Sequence, residues 1–416
     1  MSRATSTVLA AAAVCAFLLS WSLLHHGTLA RAQITDTGVY SSYGDLMANG
    51  LVPYRDFTLE YPPGALPAFV GPSLVDRYHY VRWFDREMAL CGCLMLIGAA
   101  LCLHALGATL PRAAGALGLI AVSPLLLGSI VLTRFDLWPA ALVALALAAL
   151  LHERLATAAV LLGLAISAKF WPFVLVPLAV VWLVRTRGAR AAALWSAGLA
   201  GVVLAVFLPF TVLAPRGVAH SIHAQVARPL QIESLGGAIL IAVHHIANTS
   251  LHVTSTFGSQ NLTGPGASAA AFLTSIAGVL ALVAVWVLFA RGPASNERFV
   301  VHAAGAVAVL VAFGKVFSPQ FTIWLIPLVP LVRGLRGVMA AALLAMSLAL
   351  THAYFPLHYW ALARGLAPQE SWEVLARDLT VVGLAAVLVW PRLEHQMLGE
   401  HRARIEALER VRPQVE

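Results

Sequence analysis

The sequence predicts an all-α polytopic membrane protein with about twelve transmembrane helices and two long extracytoplasmic loops. Of its 416 residues, 60% are hydrophobic and only 11% are charged, whereas a soluble chain carries about 25% charged residues. Apolar runs of about twenty residues, long enough to cross ~30 Å of hydrocarbon as a helix, recur from end to end. Arginines gather in alternate short loops, as cytoplasmic anchoring demands. Those arginines account for the net charge of +8, so the charge marks membrane topology rather than nucleic-acid binding. One membrane domain is expected over 1–392, followed by a charged cytoplasmic tail over 393–416.

The spans follow in order. Thr7–Leu24 is the first. Arg3 before it and the small residues Ala30–Ala32 after it imitate a signal peptide, but the stretch is long enough to remain as a helix. A first outside loop covers 27–86. Further spans are expected at Met88–Leu106, Ala114–Leu132 and Leu137–Leu151. The fifth, Leu155–Ala168, is broken by Lys169-Phe170-Trp171-Pro172 from a sixth ending near Val184; the pair also has the length of one re-entrant hairpin. Ala191–Leu213 is the seventh. A second outside loop covers 214–266, with an apolar stretch at Gly236–His245 able to dip into the bilayer. The last five spans are Ala267–Ala290, Phe299–Phe313, Phe321–Val332, Val338–Leu350 and Leu379–Trp390.

Twelve crossings put both termini on one side. Arg112, Arg154, Arg185, Arg187, Arg190, Arg291, Arg298, Arg333 and Arg336 lie in the short loops of that side, which makes it cytoplasmic. In the tail, Glu400, Arg404, Glu406 and Arg410 recur at helical spacing, the pattern of a solvated helix. Cys15, Cys91, Cys93 and Cys102 fall inside apolar spans without a metal-ligand interval, and read as small buried residues.

On the outer face the polar residues concentrate. Asp36, Asp45, Asp56, Glu60, Asp76 and Asp85 lie in the first loop, with Tyr40, Tyr54 and Arg55 among them. Arg134-Phe135-Asp136 falls between the third and fourth spans, and Arg228, Gln231 and Glu233 lie in the second loop. The two lysines of the chain, Lys169 and Lys315, both sit at outer helix ends, as do Gln320, His352, His358 and Tyr359. An ionisable group at membrane depth costs a few kcal/mol unless it has a partner or a wet cavity. Singly, such residues snorkel to headgroups or form an interfacial belt; on one face together they predict an outward polar cavity. Arg134 and Asp136 also read as a structural ion pair, and His244-His245 as local packing or metal ligands. Asn248-Thr-Ser and Asn261-Leu-Thr are glycosylation triplets.

This set suits sugar transfer. A carboxylate takes the proton of an attacking hydroxyl, and cations hold the negative charge that builds on a leaving phosphate. Asp36 is the candidate base; Lys169, Arg228 and Lys315 are candidate phosphate clamps.

The chain resembles glycosyltransferase family 87, polytopic bacterial enzymes of the GT-C fold that include actinobacterial polyprenyl-phosphate-mannose-dependent α-mannosyltransferases. The resemblance rests on Asp36 with Tyr40, Gly50-Leu-Val-Pro53-Tyr54-Arg55-Asp56, Glu60-Tyr-Pro-Pro63, Arg134-Phe-Asp136, Lys169-Phe-Trp-Pro172, Arg228 to Ser234, and Lys315-Val-Phe-Ser-Pro319-Gln320. It implies a GT-C-like fold in the bacterial plasma membrane and a polyprenyl-phosphate-linked sugar donor. It further implies a glycolipid or polysaccharide acceptor, surrounding membrane lipids as partners, and inversion without a covalent intermediate. The base role maps to Asp36, with Asp56 as its rival. Tyr40, Asp45, Tyr54, Arg55, Asp56, Glu60, Arg134, Asp136, Lys169, Arg228, Gln231, Glu233, Lys315, Gln320 and His352 are expected to line the substrate site. The Asp-X-Asp signature of nucleotide-sugar enzymes is absent, which agrees with a lipid donor and with no required metal or cofactor. A transporter or lipid-linked glycan flippase is the competing class, and twelve spans with broken helices suit it, but the chain carries no inverted repeat. Mannose, another hexose and arabinose remain open as the sugar.

Overall fold

The computed structural model describes residues 2–30 and 34–390. The expected tail and its arginines, and most of the Ala30–Ala32 stretch, lie outside these residues. The described chain is helical apart from one hairpin. Its first half holds α1 (Arg3–Leu23), α2 (Thr37–Ala48), α3 (Leu66–Asp76), α4 (Tyr80–Ala105), α5 (Leu110–Leu127), α6 (Ile130–Thr133), α7 (Leu137–Leu151), α8 (Leu155–Ala168) and α9 (Val176–Arg187). Then come α10 (Ala189–Leu213), α11 (Pro215–Val226), α12 (Leu235–Ala247), the antiparallel strands β1 (His252–Thr256) and β2 (Ser259–Thr263), α13 (Ala267–Arg291) and α14 (Asn296–Phe313). The chain closes with α15 (Gly334–Tyr354), α16 (Tyr359–Gly365) and α17 (Pro368–Val389).

The all-helical, many-span architecture is the one expected, with three differences in detail. Among the described residues, seven helical stretches are long and apolar enough to cross a membrane: α1, residues 63–105 with α3 and α4, α5, α10, α13, α14 and α15. At ~1.5 Å per residue, α7 and α8 reach only about 20 Å. The expected tenth span is not an α-helix but two 3-10 turns, Pro319–Leu325 and Val329–Leu331. Pro327 and Pro330, inside that span, remove N–H groups an α-helix there would need. Neither long loop is plain loop: the first contains α2 and α3, and the second contains α11, α12 and the hairpin.

α7 is apolar all round and buried on nearly every face, packed between α4 and α8; α14 is buried likewise, against α13 and α17. α10 and α13 expose almost all of their apolar surface, which places them on the lipid-facing rim.

The arginines of the short loops meet at one end of this bundle. Arg112 on α5 pairs with Glu297 on α14 at 2.7 Å and donates to the Leu331 carbonyl at 2.6 Å. Arg336 donates to the Trp390 carbonyl at 2.7 Å, and Arg185 reaches the Gly292 carbonyl. The acidic loop, the hairpin and both lysines occupy the opposite end.

Candidate active site

Asp36 is the N-cap of α2, yet its side chain makes no capping hydrogen bond. It turns instead to Arg134, whose Nε lies 3.1 Å from Oδ2. Arg134 is buried at the turn between α6 and α7, where its Nη1 donates to the carbonyls of Ile34 and Thr133 at 3.2 and 3.3 Å. The guanidinium thus ties the start of α2 to the start of α7. Tyr40, one turn along α2, donates to Asp36 Oδ2 at 3.4 Å. Its ring is buried, stacked on Phe69 at 4.6 Å and edge-on to Tyr61 and Phe135.

Asp136 does not pair with its sequence neighbour Arg134. Lys169 Nζ lies 2.6 Å from Asp136 Oδ1, and the indole N–H of Trp324 donates to the same oxygen at 2.6 Å. The expected Arg134–Asp136 pair is therefore exchanged for Asp36–Arg134 and Asp136–Lys169, because Arg134 leaves α6 in an extended conformation while Asp136 already has the helical backbone of the α7 N-cap, which turns the two side chains apart. Phe135, Phe321 and Trp324 face the ammonium at 4.9 to 5.4 Å, an arrangement in which the ring quadrupoles attract the cation. Asp136 is 1% exposed whereas Asp36 is 33% exposed, so of these two carboxylates only Asp36 reaches solvent. Lys169 also interacts through space with Arg228 and with Asp36, which joins both ion pairs and Arg228 in one charged centre.

The Pro62-Pro63-Gly64 turn locks the first loop onto this centre. The indole of Trp138 donates to the Gly64 carbonyl at 3.1 Å. A Cβ on Gly64 would lie 2.4 Å from the Ser167 carbonyl carbon and 2.5 Å from the Ala168 nitrogen, so only glycine allows this approach to the end of α8, just before Lys169.

A second buried network stands behind the first. Glu233 accepts from Tyr354 at 2.8 Å and from Gln231 Nε2 at 2.9 Å. Arg377 donates to the Tyr354 hydroxyl at 2.8 Å and to the Glu233 carbonyl, and pairs with Asp378 at 2.8 Å. Gln231 Oε1 accepts from the Phe317 N–H at 2.8 Å, and the Gln231 N–H donates to the Lys315 carbonyl at 2.9 Å. Leu230 and Ile232 extend the hairpin through backbone bonds to Leu262 and Gln260. The 228–234 segment is thereby clamped between the hairpin, the Lys315–Ser318 loop and α17. Burial pushes the Glu233 carboxyl up to about 7, against the lowering influence of Arg377 and of the Tyr354 hydroxyl.

The other expected site residues have different surroundings. Asp45 accepts from Ser73 at 2.9 Å and joins α2 to α3. Tyr54 is buried, its hydroxyl bonded to the Tyr61 carbonyl at 2.6 Å. Arg55 and Asp56 form an exposed pair at 2.9 Å. Asp56 also accepts from the Val52 N–H, and these bonds hold its carboxyl down at about 2; it closes a turn. Glu60 is 4.0 Å from Arg228. Lys315 is partly exposed, its Nζ on the Val226 carbonyl at the end of α11 at 2.7 Å. Gln320 lies half-buried in the 3-10 turn that carries Trp324. His352 packs on Gly128 at the end of α5 rather than in the charged centre. His244 bonds the Thr249 carbonyl and His245 leans on Trp372, and among the described residues they belong to no metal-ligand cluster. Asn261 is buried and bonded to Thr256, so its triplet is structural.

Trp324, Tyr354, Arg377 and Asp378 were not among the expected residues. The signal for the last two was present: a charged pair on the edge of an apolar span.

Residues 57–319, more than half the chain, match the sequence model of glycosyltransferase family 87. The chain belongs to this family. Membership makes it a glycosyltransferase, and its helices make it a membrane one, rather than a transporter or flippase. The family 87 match includes Arg134, Asp136, Lys169, Arg228 and Lys315 but begins after Asp36. Among solved structures the chain is similar to ArnT from Cupriavidus metallidurans bound to undecaprenyl phosphate, at 15% identity and a TM-score of 0.49, over 94% of this chain and 78% of that one. No curated protein sequence matches it.

Proposed function

We propose that this family 87 glycosyltransferase moves a hexose, mannose in the first instance, from a polyprenyl-phosphate donor to a hydroxyl of a glycolipid or polysaccharide acceptor, with inversion. One observation carries the reading: a solvent-reaching carboxylate, Asp36, is paired with Arg134 and shares one charged centre with Lys169 and Arg228. The acceptor oxygen attacks the anomeric carbon and its proton passes to Asp36. The anomeric C–O bond breaks with its electron pair left on the lipid phosphate. Lys169 and Arg228, with Lys315 at the rim, hold that phosphate charge. Arg134, 3.1 Å from Oδ2, holds the Asp36 side chain in place for that role.

The arginine-rich end lies opposite this centre, which by the positive-inside rule supports an extracytoplasmic site in the plasma membrane with both termini cytoplasmic. The test uses purified protein in a non-glycosidic detergent, supplied with polyprenyl-phosphate-mannose and envelope lipid acceptors. Mass spectrometry should find an acceptor heavier by one hexose and free polyprenyl phosphate. Transfer from a nucleotide sugar but not from the lipid donor would overturn the reading.

A further inference from the structure

Beside the charged centre lies a cavity of about 170 Å³. Its walls are Glu60 from the first loop, His220, His223 and Gln225 from α11, Arg228, and Phe257 at the hairpin tip. Gln225 donates to the Glu60 carbonyl at 2.9 Å, which closes the seam between loop and helix. Arg228 is the wall shared with the centre, since it also interacts with Lys169.

Three features show what this cavity suits. Phe257 and Gly258 make a two-residue hairpin turn, both with positive φ, 52° and 64°. Such a turn prefers Asn or Gly at its first position. An aromatic residue there defies local preference, the kind of conflict that collects at functional sites, and Phe257 is 41% exposed where it lines the cavity. Second, the Glu60 carboxylate is 45% exposed and sits 4.0 Å from Arg228, leaving acceptor lone pairs free. Third, the Arg228 guanidinium lines the cavity opposite Glu60 and brings hydrogen-bond donors to the same space. A flat ring, a carboxylate, a guanidinium and two imidazoles around a small space match a sugar, whose apolar face stacks and whose hydroxyls both donate and accept. Glu60 opposes a phosphate in the same place.

We propose that this cavity is the subsite that holds a sugar ring of the acceptor, with Phe257 as its stacking face and Glu60 and Arg228 as its polar partners. The assignment to the acceptor rests on the function proposed above; the sugar site itself does not. Phe257→Asn removes the ring while giving the turn a residue it favours, so folding is not at stake, and Phe257→Tyr keeps a ring.

Saturation-transfer NMR with a panel of methyl hexopyranosides, on full-length protein in a non-glycosidic detergent, needs no donor. At least one glycoside should bind through one ring face, about tenfold more weakly to Phe257→Asn, as for loss of a central aromatic contact, and normally to Phe257→Tyr. No binding by any glycoside, or binding indifferent to Phe257→Asn, overturns the subsite. The octyl derivative of the bound glycoside and plain octanol are then compared as acceptors. Transfer to the glycoside alone supports the acceptor assignment, and equal transfer to octanol overturns it. Glycoside binding with no consumption of polyprenyl-phosphate-hexose leaves the sugar site standing and overturns the proposed function, and the acceptor assignment with it.

Discussion

Replacing Lys169 with Met separates its structural role from its proposed chemical one. At 2.6 Å from Asp136, and with an effective dielectric of about 20, the attraction within the pair is about 6 kcal/mol before desolvation takes much of it back. Asp136 is 1% exposed, and its second oxygen already has no partner. Lys169→Met leaves that carboxylate with the Trp324 indole alone, so a loss of about 3–5 kcal/mol is expected. Asp136→Leu should cost a similar amount by stranding the ammonium. The double variant removes both charges from an apolar, aromatic surround and should recover most of that loss, since a buried pair replaced by packed apolar groups is often neutral. Unfolding in mixed micelles, followed by tryptophan fluorescence, reads this directly, because Trp171 and Trp324 stack at 5.3 Å beside the pair. Transfer should stay lost in the double variant, since the phosphate clamp is gone. A double variant as active as wild type would show Lys169 to be structural only, and a single variant losing under about 1 kcal/mol would show the pair to be solvated rather than buried.

Three further outcomes follow from the geometry. Gly64→Ala forces a Cβ onto the α8 backbone at 2.4 Å and should cost about 1–3 kcal/mol, with transfer falling as the first loop lifts from Lys169; thermal unfolding and initial rates measured together check this. Asp56→Asn should leave transfer close to wild type, because a carboxyl held at about 2 by Arg55 and the Val52 N–H is a turn residue and a poor base; a collapse in rate at unchanged expression would contradict it. Glu233 holds its proton up to about 7 in the fold, against 4.5 ordinarily. Its contribution to stability is therefore fully present below pH 4.5 and declines as pH rises to about 7, and Glu233→Gln should flatten that slope in melting temperature against pH.

Much of the centre was legible because charge is conspicuous in an apolar chain. Asp36, Arg134, Asp136, Lys169 and Arg228 stand out for that reason, and they do meet. Their pairing was not legible, since it depends on where α7 begins. Asp45 and Asp56 look like Asp36 in sequence and differ from it only in their contacts, a Ser73 hydroxyl for one and an Arg55 turn for the other. Arg377 and Asp378 escaped because the expected span begins one residue after them, while α17 starts at Pro368. Trp324 resembles any interfacial tryptophan until its N–H is seen on Asp136. The prolines that dissolve the tenth span were in view, but a hydropathy window counts them as neutral.

The most direct test of the account is the rate of sugar transfer from a polyprenyl-phosphate donor by Asp36→Asn, measured beside wild type. Asparagine keeps the shape and a contact for Arg134 but cannot accept the proton, so turnover should fall by about 10²–10⁴ while the protein folds and still binds the lipid donor. Turnover within a few-fold of wild type would remove Asp36 from the chemistry, and with it the mechanism built around the Asp36–Arg134 pair.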